Sequence, residues 1–156
     1  MELRRFGTSD LLVSPLGFGA GHIGAEQMTD REAVYLLERA RDLGINLIDT
    51  ARGYGLSEQR VGQFLKNRRH DIILSTKVGY DVPGAQDWTF EAVSGGIDQA
   101  LRTMQTDYLD IVHLHSCSRE ILAQSDVIEA LERAKQAGKV RVIAYSGDRE
   151  DLQYAI

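Results

Sequence analysis

The chain has 156 residues, 43% hydrophobic and 26% charged, the proportions of a soluble globular domain long enough to bury a core. Its net charge of −5 and pI near 5.3 exclude the phosphate attraction that drives non-specific nucleic-acid binding, and an anionic membrane surface would repel it. A single cysteine, Cys117, excludes an internal disulfide framework, and the start MELRRFGTSD lacks an apolar signal region, so the expectation is one cytoplasmic domain over residues 1–156.

Leu3–Phe6 and Leu11–Val13 flank the turn residues Gly7-Thr8-Ser9-Asp10 and predict a short N-terminal β-hairpin. Leu16–Ala20 reads as a first apolar strand. Thr29-Asp30-Arg31-Glu32 is a capping box, and Ala33, Leu36, Leu37 and Ala40 then recur at helical spacing until Gly44, a C′ glycine. Ile45–Asp49 is a second strand, after which Ser57 is expected to cap a helix carrying Val61, Phe64 and Leu65. Ile72–Lys77 is a third strand, followed by a helix with Val93, Ile97, Ala100, Leu101 and Met104 on one face. Leu109–His115 is a fourth strand; its helix carries Val127, Ala130, Leu131 and Ala134 and stops at Gly138. Val140–Ser146 is a fifth strand, and Glu150–Ile156 begins another helix. Five βα units of this kind predict a parallel sheet with right-handed crossovers. Periodicity alone leaves a barrel and an open doubly wound sheet both standing.

The reactive residues fall in one kind of place. Asp49, Lys77, His115 and Ser146 end the second to fifth strands, and Tyr54 lies in the loop after Asp49. Taken singly they have ordinary readings as a turn residue, a solvated amine, a core imidazole and a packing ring. Taken together, a carboxylate, a phenol, an amine and an imidazole at the carboxyl ends of successive parallel strands match the way barrel enzymes build sites. A phenol with its ordinary pKa of about 10 holds its proton too tightly to serve as an acid at neutral pH. A neighbouring ammonium eases its release, a carboxylate keeps that ammonium charged and placed, and an imidazole can orient a substrate oxygen. Such a group suits proton delivery to a carbonyl oxygen as hydride reaches carbon.

The segments DTARGYGLSEQRVG, LSTKVG, TDYLDIVHLH and AGKVRVIAYSG, in this order and at these spacings, resemble the aldo-keto reductase family over essentially the whole chain. The resemblance implies an α/β protein of the (β/α)8 TIM-barrel type, here about five βα units preceded by the hairpin. It implies reduction of an aldehyde or ketone with hydride from NADPH, with NADH as the alternative, and no metal. By the same resemblance Asp49, Tyr54, Lys77 and His115 form the catalytic tetrad, with Tyr54 as proton donor. His115 rather than His113 is chosen because the family histidine follows the tyrosine of its YLD segment by seven positions, and that tyrosine here is Tyr108. The expected cofactor contacts are Gly21, His22, Asp49, Ser146 and Gly147, with Ser146 bonding the nicotinamide carboxamide. Gly147 departs from the asparagine common in the family, and Ser116-Cys117 replaces the frequent Trp-Pro. Strands six to eight, which in the family carry the residue stacked on the nicotinamide and a basic phosphate cluster, lie outside this sequence.

Three motifs compete with this reading. Gly19-Ala20-Gly21-His22-Ile23-Gly24 matches G-x-G-x-x-G, but the helix signal waits until Thr29, so a Rossmann phosphate site is disfavoured. His113, His115 and Cys117 alternate on one strand face as metal ligands could, without an apparent fourth ligand. Lys77 could form a Schiff base, though a carboxylate at Asp49 favours its charged form. Two function classes therefore stand: a carbonyl reductase acting on a small-molecule substrate, without nucleic-acid or membrane partners, and a non-catalytic half-barrel fragment or interaction module that self-associates through open barrel edges.

Overall fold

Apolar runs too short for helices alternate with amphipathic stretches, and in the computed structural model of the protein they become strands and covering helices. The structure describes residues 1–147 and 149–155. Strands β1 (Arg4–Arg5) and β2 (Leu12–Val13) precede β3 (Gly17–Gly19), α1 (Asp30–Asp42), β4 (Leu47–Asp49), α2 (Ser57–Leu65) and β5 (Ile73–Val78). Then follow α3 (Phe90–Met104), β6 (Leu109–His115), the short α4 (Arg119–Leu122), α5 (Ser125–Gln136), β7 (Val140–Ser146) and α6 (Arg149–Ala155). Strands β3 to β7 form a five-stranded sheet in chain order, with parallel registers at β3–β4, β4–β5 and β6–β7. The chain divides into two compact units, Met1–Ser75 with Arg102–Thr106, and Thr76–Leu101 with Asp107–Ile156.

In the first unit the hairpin pairs Arg4 with Val13 and Arg5 with Leu12 around the expected turn, which Ser9 closes by donating its hydroxyl to the Phe6 carbonyl at 2.6 Å. Asn46 ties the hairpin to the approach to β4: its Oδ1 accepts from the Ser14 N–H at 2.7 Å and its Nδ2 donates to the Leu12 carbonyl at 2.9 Å. With Asn46 so occupied and Ile45 closing the helix end by donating to the Ala40 carbonyl, the second barrel-type strand begins at Leu47, two residues later than expected. The capping box of α1 is formed. Thr29 Oγ1 accepts from the Glu32 N–H, and Glu32 Oε2 accepts from the Thr29 N–H. Gly44 takes the left-handed φ of 86° that ends the helix, and Gly138 does the same after α5 with φ 75°. Leu11, Ile23, Leu37, Ile48, Phe64 and Leu74 are buried in this unit.

Ser57 is not the cap of α2. It is the first helical residue, and its hydroxyl is buried, donating to the Ala20 carbonyl at 2.7 Å and lying 2.8 Å from Thr50 Oγ1. The N-cap position is Leu56, and no side chain caps this helix.

In the second unit β6 and β7 run in register from Leu109–Val140 to His115–Ser146, with the bounds expected for both strands. Ile97, Leu109, Ile111, Leu114, Val127 and Leu131 are buried there. Periodicity did not anticipate α4, a single turn lying between β6 and α5. The last helix begins at Arg149, one residue before the expected Glu150, and the expected end at Ile156 lies outside the described residues.

Candidate active site

Asp49 is the last residue of β4, Lys77 lies one residue before the end of β5, His115 ends β6 and Ser146 ends β7. Each side chain is thus carried to the carboxyl edge of a strand by the strand itself. Asp49, Tyr54, Gly21 and His22 belong to the first unit; Lys77, His115, Ser146 and Gly147 belong to the second.

In the first unit Asp49 is half-buried, and its Oδ1 accepts a 2.8 Å hydrogen bond from the Ser75 hydroxyl. Ser75 faces Asp49 across the β4–β5 register, so the parallel ladder itself supplies this partner. The Asp49 carbonyl accepts from the Ala20 N–H at 2.8 Å, and the Thr50 N–H donates to the Ser75 carbonyl at 2.9 Å, which extends the ladders past the strand ends. The Tyr54 N–H donates to the Ala51 carbonyl at 3.1 Å, closing a turn that leaves its ring half-buried.

What holds that turn is the segment after β3. Gly21 precedes a single 3-10 turn, His22–Gly24, and a Cβ added to Gly21 would make ordinary contact with the Tyr54 ring at 3.8 Å. Gly24 is more constrained. A Cβ there would stand 1.6 Å from the Tyr54 carbonyl oxygen, and the Gly24 carbonyl accepts from the Leu56 N–H at 3.0 Å. The third glycine of the G-x-G-x-x-G run therefore serves the close approach of two backbones. The turn at residues 22–24 is 3-10 and α1 starts only at Asp30, so no α-helix opens on the glycines as a dinucleotide-phosphate site requires. Arg60, overlooked in the sequence, fastens the same segment. Its side chain, only 3% exposed, donates to the carbonyls of Ile23, Ala25 and Met28 and pairs with Asp30 at 2.8 Å. The Arg60 guanidinium, then Gln63, holds the Asp30 carboxyl below its ordinary range. The available signal was that Arg60 falls at helical spacing with the buried Phe64 and beside Val61, on the face the helix turns inward.

In the second unit Lys77 is 6% exposed and His115 half-buried. His115 Nδ1 lies 2.8 Å from the Tyr80 hydroxyl, and the two rings stand 5.4 Å apart at 30°. Tyr80 also packs on Trp88 at 5.6 Å. Gly79 permits this: its φ is 134°, its carbonyl accepts from the Trp88 N–H at 2.7 Å, and a Cβ would fall 2.1 Å from the indole. Ser146, opposite His115 in the ladder, is half-buried, and its carbonyl accepts from the Ser116 N–H. A Cβ on Gly147 would meet the Tyr145 hydroxyl at 2.1 Å, and that hydroxyl donates to the Cys117 carbonyl at 2.6 Å. The end of the Tyr145 ring thus lies where a side chain at position 147 would begin.

Cys117 is buried, and burial pushes its thiol up to about 11. His113 is half-buried, opposite Ala144 in the ladder. Among the described residues no three His, Cys, Asp or Glu side chains are grouped to hold a metal ion. No helix among them is long and apolar enough to cross a membrane.

The family model described as the aldo/keto reductase family matches residues 15–155. The chain is 40% identical to L-galactose dehydrogenase of Arabidopsis thaliana over 94% of its own length and 49% of that protein. It is 37% identical to an uncharacterized oxidoreductase of Bacillus subtilis, over 97% of the chain and 51% of the relative. The holo form of an aldo-keto reductase from Bacillus halodurans superposes with a TM-score of 0.85 at 39% identity, over 96% of this chain and 51% of that one. The chain thus spans about half the length of the curated relatives it matches. With its parallel strands, its N-terminal hairpin and the match over residues 15–155, the chain belongs to the aldo/keto reductase family.

Proposed function

We propose that this chain carries the acid–base half of a cytoplasmic NAD(P)H-dependent carbonyl reductase, a single partial-barrel domain in which Asp49, Tyr54, Lys77 and His115 serve one site. The observation carrying the reading is that a carboxylate, an amine and an imidazole stand at the carboxyl ends of β4, β5 and β6, with Tyr54 in the loop after β4, in a chain of this family.

The residues fit a nicotinamide nucleotide in part. A Cβ on Gly19 would meet nothing within 4 Å, so the rim of β3 leaves backbone open to a ligand. Ser146 offers a half-buried hydroxyl to a carboxamide, whereas Gly147 offers no side-chain donor. NADPH is the preferred cofactor and NADH the alternative; when bound, the nucleotide supplies the hydride. Tyr54 delivers the proton to the carbonyl oxygen from its hydroxyl. Lys77, little exposed and therefore weakly screened by water, stabilises the resulting phenolate with its ammonium. Asp49, held by Ser75, keeps that ammonium in place, and His115 donates a hydrogen bond to the substrate oxygen.

The test is NADPH oxidation by a panel of aldehydes and ketones, with wild-type protein and Tyr54→Phe. Loss of a general acid predicts at least about a hundredfold lower turnover; a near-normal rate in the variant refutes the assignment.

A further inference from the structure

We infer that Tyr80 is the positioning residue of His115, its hydroxyl donating to Nδ1 so that the neutral ring carries its proton on Nε2. The 2.8 Å separation is the observation on which this stands. An imidazole has two polar atoms, and the one bound to Tyr80 cannot also serve a ligand. Nε2 is the ring's other polar atom, and it donates to a carbonyl oxygen only in the tautomer whose proton it carries. In that tautomer Nδ1 is an acceptor, and the phenol is the donor it requires. A triad or metal-bound histidine has its tautomer set by a partner that accepts from the second nitrogen; here the partner donates to it, with the same effect of fixing which nitrogen carries the proton.

The placement of Tyr80 is built rather than incidental. Gly79 gives up a side chain so that Trp88 can close over it, the Trp88 N–H is tied to the Gly79 carbonyl, and Trp88 itself takes a left-handed φ of 62°. The far end of the loop is fastened again where the Asp81 N–H donates to Asp87 Oδ1 at 2.9 Å. Tyr80 is thereby set between Trp88 and His115, with ring contacts on both sides. On the His115 side, the Ser116 N–H bonded to the Ser146 carbonyl holds the strand end that carries the imidazole.

The purpose assigned to this pair rests on the carbonyl-reductase reading, but its test does not. Two-bond proton–nitrogen correlation spectra of the 156-residue chain, at a pH where the rings are neutral, report which nitrogen of each of the four histidines carries the proton. His115→Gln assigns the signal. The wild-type ring should carry its proton on Nε2. Tyr80→Phe, which keeps the ring contacts and removes only the hydroxyl, should shift the ratio toward Nδ1–H by about fivefold, the ratio that a hydrogen bond worth roughly 1 kcal/mol maintains. His22, His70 and His113 should keep their ratios. A wild-type His115 protonated mainly on Nδ1 overturns the inference without need of any variant, as does a Tyr80→Phe spectrum with the His115 ratio unchanged. Either outcome leaves carbonyl reduction standing. Conversely, a normal tautomer shift beside an inert Tyr54 would sink the reductase reading and keep the Tyr80–His115 pair.

Discussion

One added methyl group tests how the Tyr54 turn is held. Gly24 is buried, and a Cβ there would lie 1.6 Å from the Tyr54 carbonyl oxygen, 2.7 Å from its carbon and 3.2 Å from Ser57 Cβ. A carbon settles no closer than about 3.3 Å to a carbonyl oxygen, so the two backbones would have to part by roughly 1.7 Å. Parting breaks the bond from the Leu56 N–H to the Gly24 carbonyl, a loss of about 1 kcal/mol, and overpacking adds about 1–3 kcal/mol. Alanine restricts the unfolded chain and returns about 0.4–1 kcal/mol. The net expectation for Gly24→Ala is a loss of about 1–3.5 kcal/mol, read as a urea midpoint lowered by roughly 1 M. Gly21→Ala and Gly19→Ala are the controls. Their Cβ atoms would meet the Tyr54 ring at 3.8 Å and nothing within 4 Å, respectively, so both should unfold within about 0.5 kcal/mol of wild type. If Gly24→Ala unfolds at the same urea concentration as Gly21→Ala, the close-approach account of this glycine is wrong. A dinucleotide loop would give a different pattern, with ligand affinity rather than stability responding to all three positions.

Gly79→Ala should displace Trp88, the only tryptophan in the chain, because the new Cβ would fall 2.1 Å from its indole; a red-shifted emission is expected, and an unchanged spectrum would contradict the packing. Asp30 is held below its ordinary value near 3.8, first by Arg60 and then by Gln63, so its contribution is present above that value and lost as pH falls through the lower folded one. Asp30→Asn should therefore be less stable than wild type at pH 7, with the gap closing below about pH 4; a gap independent of pH would mean the carboxylate charge plays no part. Cys117, with a thiol raised from 9.0 to about 11 by burial, exposes about a hundredfold less thiolate at pH 8 than an unfolded chain. Its reaction with a disulfide reagent should be slower in the folded protein than in urea, and equal rates in both states would show the thiol to be accessible.

The order of elements was legible because each carries its own period. Leu109–His115 and Val140–Ser146 are apolar runs bounded by turn residues, and both strands have the expected ends. Thr29 and Glu32 cap α1 through contacts made within four residues, so no distant partner was needed to foresee them. The reactive side chains were placed by the same local logic, since a strand's last residue is at its carboxyl edge whatever surrounds it. Ser57 misled because a hydroxyl before a helix looks like a cap, and only the Ala20 carbonyl, 37 positions away, shows where it is committed.

What the sequence determined alone, then, was everything written in short-range periods and caps: α/β class, strand and helix succession, and the family its motifs resemble. Tertiary structure decided what supports the candidate residues: Ser75 on Asp49, Gly24 beneath Tyr54, Arg60 across three carbonyls, and Tyr80 on His115. The Tyr80–His115 bond joins residues 35 positions apart, and the Arg60 bonds to carbonyls reach 32 to 37 positions back. Hydrogen bonds depend on distances of a few tenths of an ångström, and such distances between remote residues are set by packing, which no local pattern encodes.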